Sequence, residues 1–324
     1  MGRRLYLGRN YEATSQTVQS KAIVDNRISV SRSSHPIVDI SELNQWLTQE
    51  EIIFFDCRFY LTDVSQGRRE YDSNHIPGAI YLDLATDLSG PIGSGKGGRH
   101  PLPDASTFLS RMARLGVSTD SVVVAYDQSG GAYASRLWWM LKALGFETVF
   151  VLNGGWNAWT KEGDPHLIQS RNSTRNRICG LDSDTKSYLD LPSGLDGTDG
   201  PPRFPHLSTS HVVNRKSDLV LVDSRTHDRY MGLNETIDPI AGHIPGALNI
   251  PWTENVDEAG YFLPPELLKK RFEGVFSLDS SPVFYCGSGV TACQNILATQ
   301  IAGFPMPGLY AASWSGWINQ DKQG

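Results

Sequence analysis

A chain of 324 residues, 40% hydrophobic and 20% charged, is long enough for two ordinary domains, and its apolar runs are too short to span a bilayer. The formal net charge of −6 argues against nucleic acid as a general partner, while leaving room for a locally positive site. Four scattered cysteines, at 57, 179, 286 and 293, are too few for a disulfide framework. Residues 1–34 read as an N-terminal tail with no signal-peptide core, and six Arg/Lys stand against Glu12 and Asp25 in the first 32 positions. That composition fits an organellar transit peptide or a disordered tail, so the expected compartment is reducing, cytoplasmic or mitochondrial.

After the tail, a short helix is expected over 37–47, followed by a buried strand, Ile52-Ile-Phe-Phe-Asp56, that ends in Asp56-Cys-Arg58. The segment His75-Ile-Pro-Gly-Ala79 leads into a second strand at Ile80-Tyr-Leu82. A glycine-rich loop, 89–100, is too long for a mere connector. Ser121-Val-Val-Val-Ala-Tyr-Asp127 is a strand, Ser135 to Leu144 a helix, Thr148 to Leu152 a strand, and Trp156-Asn-Ala-Trp159 follows. Strands alternating with helices predict a mostly parallel sheet covered on both faces.

The same order of events then returns. Asp223 lies 223 − 56 = 167 positions after Asp56, His243 lies 243 − 75 = 168 after His75, and Trp314 lies 314 − 156 = 158 after Trp156. The chain therefore reads as two copies of one α/β domain, 35–165 and 206–320, joined by a linker over 166–205 rich in Asp, Ser, Gly and Pro.

One stretch carries chemistry. In Pro282-Val-Phe-Tyr-Cys286-Gly-Ser-Gly-Val-Thr291, a strand stops at a cysteine, and two glycines curl the chain into a helix expected over 290–301. Such a loop points backbone N–H groups inward at a helix start, the setting that lowers a thiol pKa from about 8.5 towards roughly 3.5–7.5. Cys286 is the candidate nucleophile. Cys293, two turns into the helix, reads as a small core hydrophobe. Overlaying the copies puts Asp127 where Cys286 stands, so the first domain reads as non-catalytic, a wall over one side of the Cys286 cleft.

These residues resemble the two-domain sulfurtransferases, the family of rhodanese (thiosulfate sulfurtransferase) and 3-mercaptopyruvate sulfurtransferase. The resemblance spans roughly residues 35–320 and is carried by the paired His-Ile-Pro-Gly-Ala segments, Asp223-Ser-Arg225, Trp314-Ser-Gly-Trp317 and above all Cys286-Gly-Ser-Gly-Val-Thr291. It implies two tandem rhodanese-like domains and a Cys286 persulfide held by the backbone of Gly287, Ser288, Gly289, Val290 and Thr291. Ser288 would donate a hydrogen bond to substrate, Arg229 would bind its negative group, and His100 would be supplied by the first domain.

The implied donor is 3-mercaptopyruvate or thiosulfate, the acceptor a thiol such as thioredoxin, or cyanide; no metal or other cofactor is called for. The Gly-Ser loop is similar to the mercaptopyruvate enzymes, whereas Asp238 stands where those enzymes carry a second arginine, nine positions after the first (229 + 9 = 238). Thiosulfate is a compact dianion and the loop offers it no side-chain cation, which favours mercaptopyruvate. A cysteine phosphatase would need a loop arginine at 286 + 6 = 292, and that residue is Ala292. A non-catalytic sulfur-carrier or interaction scaffold is the remaining alternative. His75, His243, the pairs Asp56/Arg58 and Asp223/Arg225, and the four tryptophans are expected to be structural.

Overall fold

The computed structural model describes residues 35–166, 204–215, 219–277, 280 and 282–320. The tail, most of the linker and Cys179 lie outside the described residues. Strands β1 (Ile37–Val38), β2 (Ile52–Asp56), β3 (Ile80–Tyr81), β4 (Val122–Tyr126) and β5 (Val149–Leu152) form one sheet in the order β1-β5-β4-β2-β3. Strands β6 (Leu221–Asp223), β7 (Leu248–Asn249), β8 (Val283–Tyr285) and β9 (Gly308–Leu309) form a second, in the order β7-β6-β8-β9. Every pairing within the two sheets is parallel. β2, β4, β6 and β8 are buried along their whole length, as central strands covered on both faces must be.

The repeat read from sequence is thus a repeat in space, with β2, β3, β4 and β5 matched by β6, β7, β8 and β9. Among the described residues, strand β1 has no counterpart in the second half. There the Leu207 N–H bonds the Leu309 carbonyl at 2.8 Å, so bare chain covers the equivalent edge. Two expected boundaries move for physical reasons. The first helix is Ile40–Trp46, because Ile37 and Val38 are drawn into the sheet by Val151 and Leu152. The helix after Cys286 is Ala292–Ile301, because Gly289 at φ +76° keeps Val290 and Thr291 in the loop.

The two halves share one continuous core. The helix that follows Asp127, Ala134–Ala143, packs against the helix that follows Cys286, Ala292–Ile301, and both are buried almost throughout. Leu137, Trp138 and Leu141 on one side meet the same apolar cluster as Ile296, Leu297 and Ile301 on the other. Each helix therefore has no solvent face, which explains why neither shows a polar stripe in sequence. Phe204, near the end of the linker, stacks on Trp139 and docks beside Phe108. Joining the two helices side by side brings the loop in front of each one close to the other half.

Candidate active site

Cys286 and Asp127 sit just beyond the carboxyl ends of β8 and β4, where open parallel sheets place their ligands. Both residues are buried, and each lies at the floor of a backbone cup. In the first half the cup is full. The Asp127 carboxylate accepts N–H bonds from Ser129 at 2.7 Å, Gly131 at 3.0 Å, and Tyr133 and Ala134 at 2.8 Å each. Burial pushes this carboxyl up, and the four amides oppose the push. Val256 and Phe262 of the second half press on its mouth, since a Cβ on Gly130 or Gly131 would lie 3.3 and 3.2 Å from them.

In the second half the same fold holds a sulfur. The Gly289 N–H points at Cys286 Sγ at 3.2 Å. Gly289 is needed twice over, for its positive φ and because a Cβ there would lie 2.3 Å from the Ala311 carbonyl. Gly287 is needed for another reason than the turn expected of it: its φ is ordinary, but a Cβ would meet Arg99 Nη2 at 3.0 Å and Arg229 Nη2 at 3.5 Å. Two guanidiniums, one from each half, therefore lie directly over the residue after the cysteine. Of the loop amides Gly287 to Thr291, Gly289 is the one bonded to the sulfur among the described residues.

The cup is clamped from behind by the Trp314-Ser-Gly-Trp317 segment. The Trp314 N–H bonds the Cys286 carbonyl and the Ser315 N–H bonds the Gly287 carbonyl, both at 2.9 Å. Ser313, the one non-glycine residue at positive φ (54°) among the described residues, accepts the Cys286 N–H on its Oγ at 3.1 Å and donates to the Tyr310 carbonyl. Backbone strain at that point is held by the sheet end on both sides. Trp314 and Trp156 also cover the buried pairs expected at the strand ends, with Arg225 and Arg58 lying 5.1 and 4.5 Å from their ring centres. His75 and His243 are structural as expected, each stacked on a tyrosine and bonded to its carbonyl.

His100 is brought to the cup and is not a solvated loop residue: its Nδ1 lies 2.8 Å from Ser288 Oγ, and 7% of it is exposed. Burial, reinforced by Arg99 and Arg136, pulls its pKa down to about 3, so the ring is neutral at physiological pH. Arg229 pairs with Glu235 at 2.8 Å and Asp238 at 3.2 Å. Asp238 also binds Arg99 of the first half. A second guanidinium, that of Arg99, is thus held beside Arg229 by the acid at 238. Arg99, Arg136 and Glu235 were missed because their contacts cross between segments far apart in sequence. A signal was present in one case, an arginine inside the otherwise apolar Ala134-Ser-Arg136-Leu-Trp-Trp-Met.

Two parallel α/β halves of one design, with a cysteine in the backbone cup of the second, define a rhodanese-like architecture. The chain belongs to that family: the rhodanese-like domain profile matches residues 39–162 and again 210–320. A protein of Pseudomonas aeruginosa named probable 3-mercaptopyruvate sulfurtransferase is 40% identical over 296 residues, covering 90% of this chain and 98% of its own. Thiosulfate sulfurtransferase of Cricetulus griseus is 34% identical over 275 residues, covering 82% and 84%. Among solved structures, 3-mercaptopyruvate sulfurtransferase from Leishmania major superposes with a TM-score of 0.68 at 28% identity, over 90% of this chain and 76% of that one.

Proposed function

We propose that the protein is a sulfurtransferase that takes a sulfane sulfur from 3-mercaptopyruvate onto Cys286 and passes it to a thiol acceptor or cyanide. The observation that carries this reading is the Cys286 sulfur facing the Gly289 amide beneath the guanidiniums of Arg99 and Arg229. In the first half-reaction the Cys286 thiolate attacks the substrate sulfur, the carbon–sulfur bond breaks, and its electron pair leaves on carbon 3 of the pyruvate enolate. The proton of the substrate thiol ends on that carbon, which leaves pyruvate and a Cys286 persulfide anion. Neutral His100 and Ser288, hydrogen-bonded to each other at 2.8 Å, would carry the proton. In the second half-reaction a thiol or cyanide takes the outer sulfur and restores the thiolate.

Charge supports the monoanionic donor. Arg99 and Arg229 are matched by Asp238 and Glu235, so the mouth offers a carboxylate two directional guanidinium forks without the surplus positive charge that a compact dianion needs. Side-by-side rates with mercaptopyruvate and thiosulfate, cyanide as acceptor, test the reading. The expected result is a higher kcat/KM for mercaptopyruvate, with activity towards both donors abolished in folded Cys286→Ser. The opposite ranking would make the enzyme a thiosulfate:cyanide sulfurtransferase, and full activity in the serine variant would reject the mechanism.

A further inference from the structure

The two cups are tied together by a reciprocal pair of hydrogen bonds. Arg136, third residue of the helix Ala134–Ala143, reaches out of the first half and gives its Nη1–H to the Gly289 carbonyl at 2.9 Å. Gln294, third residue of the helix Ala292–Ile301, reaches the other way and gives its Nε2–H to the Gly130 carbonyl at 3.3 Å. Gly130 and Gly289 are equivalent, each three positions past the residue on the cup floor (127 + 3 and 286 + 3). The repeat uses one lever twice with different heads. A neutral amide goes to the carboxylate cup, and a guanidinium goes to the sulfur cup.

The guanidinium needs a reason. Arg136 is fully buried, no carboxylate among the described residues pairs with it, and its Nε has no partner. Its Nη2 touches the carbonyls of His100 at 3.2 Å and Leu88 at 3.5 Å. A glutamine would bridge a carbonyl equally well, as Gln294 does, without burying an uncompensated charge. What faces the charge is sulfur. Cys293 Sγ lies 3.5 Å from the Gly289 carbonyl that Arg136 binds, and Cys286 Sγ lies 3.2 Å from the Gly289 amide. Burial lowers the Arg136 pKa, and the two sulfurs pull it back. Cys293 is pushed up to about 12 by burial, so it stays a neutral thiol; the other sulfur is Cys286, which Arg136 reaches through the two ends of Gly289. Asp127, with four amides, has no need of a cation; the Cys286 sulfur has one amide.

We propose that Arg136 is the counter-charge of the Cys286 thiolate and persulfide and the positioning residue for Gly289, lent to the catalytic cup by the half that has no nucleophile. The inference builds on the reading of Cys286 as the sulfur acceptor. Its test does not depend on turnover: the rate of Cys286 alkylation by iodoacetamide, located by peptide mass spectrometry and taken on the limb where it still rises with pH, is compared in wild type, Arg136→Gln and Arg136→Lys.

On that limb the rate follows the thiolate fraction, and a nearby opposite charge shifts an ionisation by about tenfold or more, so the Gln variant should react about tenfold more slowly. The Lys variant should stay closer to wild type, although it melts earlier because a single nitrogen replaces the two that divide the three carbonyls between them. A Gln variant within fivefold of wild type, or a Lys variant as slow as Gln, overturns the proposal. Should Gln fail to fold, Lys decides alone: a rate within threefold of wild type supports the role of charge, and a greater loss overturns it. The expected alkylation pattern in a protein that moves no sulfur from either donor would leave Arg136 in its role and remove the sulfurtransferase reading instead.

Discussion

Six side chains of alternating sign run from the floor of the second sheet to a loop of the first half. Asp223 binds Arg225, which binds Glu235, which binds Arg229, which binds Asp238, which binds Arg99. Three cations and three anions cancel, so the mouth above Cys286 is ordered but not strongly charged. Burial pushes the Glu235 carboxyl up, yet the bonds from Arg229 and two backbone amides win and hold it below the usual range. Asp238 is the member that sequence flagged as out of place, and it is the one that joins the halves. Replacing it with Asn keeps its shape and removes one negative charge from between two guanidiniums, an interaction of roughly 2–3 kcal/mol at an effective dielectric near 20–40 and about 5 Å. A dianion feels that change twice over, so in Asp238→Asn the ratio of kcat/KM for thiosulfate to that for mercaptopyruvate should rise about tenfold. Equal losses with both donors would mean that Asp238 is only a strut for Arg99.

At the scale of elements the two cups are one loop with two occupants. The carboxylate of Asp127 meets four amides that would otherwise be buried without acceptors, and each such orphan costs about 1–3 kcal/mol. Asp127→Ala should therefore destabilise the protein by about 3 kcal/mol or more, less than the full sum because water can enter the emptied cup. Urea denaturation midpoints measure this, and a loss below about 1 kcal/mol would show that the loop holds its shape without the carboxylate. Both cups, the residue on the floor of each and the alternation of strands with helices were legible in sequence because they are local: a buried strand, a turn residue, then a helix, written twice. The partners of Arg99, Arg136 and Ser313 were not, because a hydrogen bond between positions 136 and 289 has no periodicity to betray it. His100 is the intermediate case. The resemblance named it, but nothing local in its glycine-rich loop shows that the packing of the two halves buries it.

For the whole molecule, the join between halves is polar around the two cups and apolar between them. His100 to Ser288, Arg136 to Gly289, Gln294 to Gly130 and the Phe262 N–H to Asn153 Oδ1 all cross from one half to the other. Burial holds His100 neutral down to about pH 3, while in the unfolded chain an ordinary histidine takes up its proton near 6.5. Between those values the unfolded chain binds a proton that the folded one refuses, so the His100 contribution is fully present above about pH 6.5 and is lost progressively as pH falls towards 3. The slope is at most about 1.4 kcal/mol per pH unit. His100→Gln replaces the ring with a neutral group able to bond Ser288, and it should remove that slope while costing some stability at pH 8. Unfolding free energies of the two proteins, measured by urea titration at intervals from pH 8 to pH 5, should converge as pH falls. Parallel curves over that range would place the acid sensitivity of the join on other groups and leave His100 titrating as it would in water.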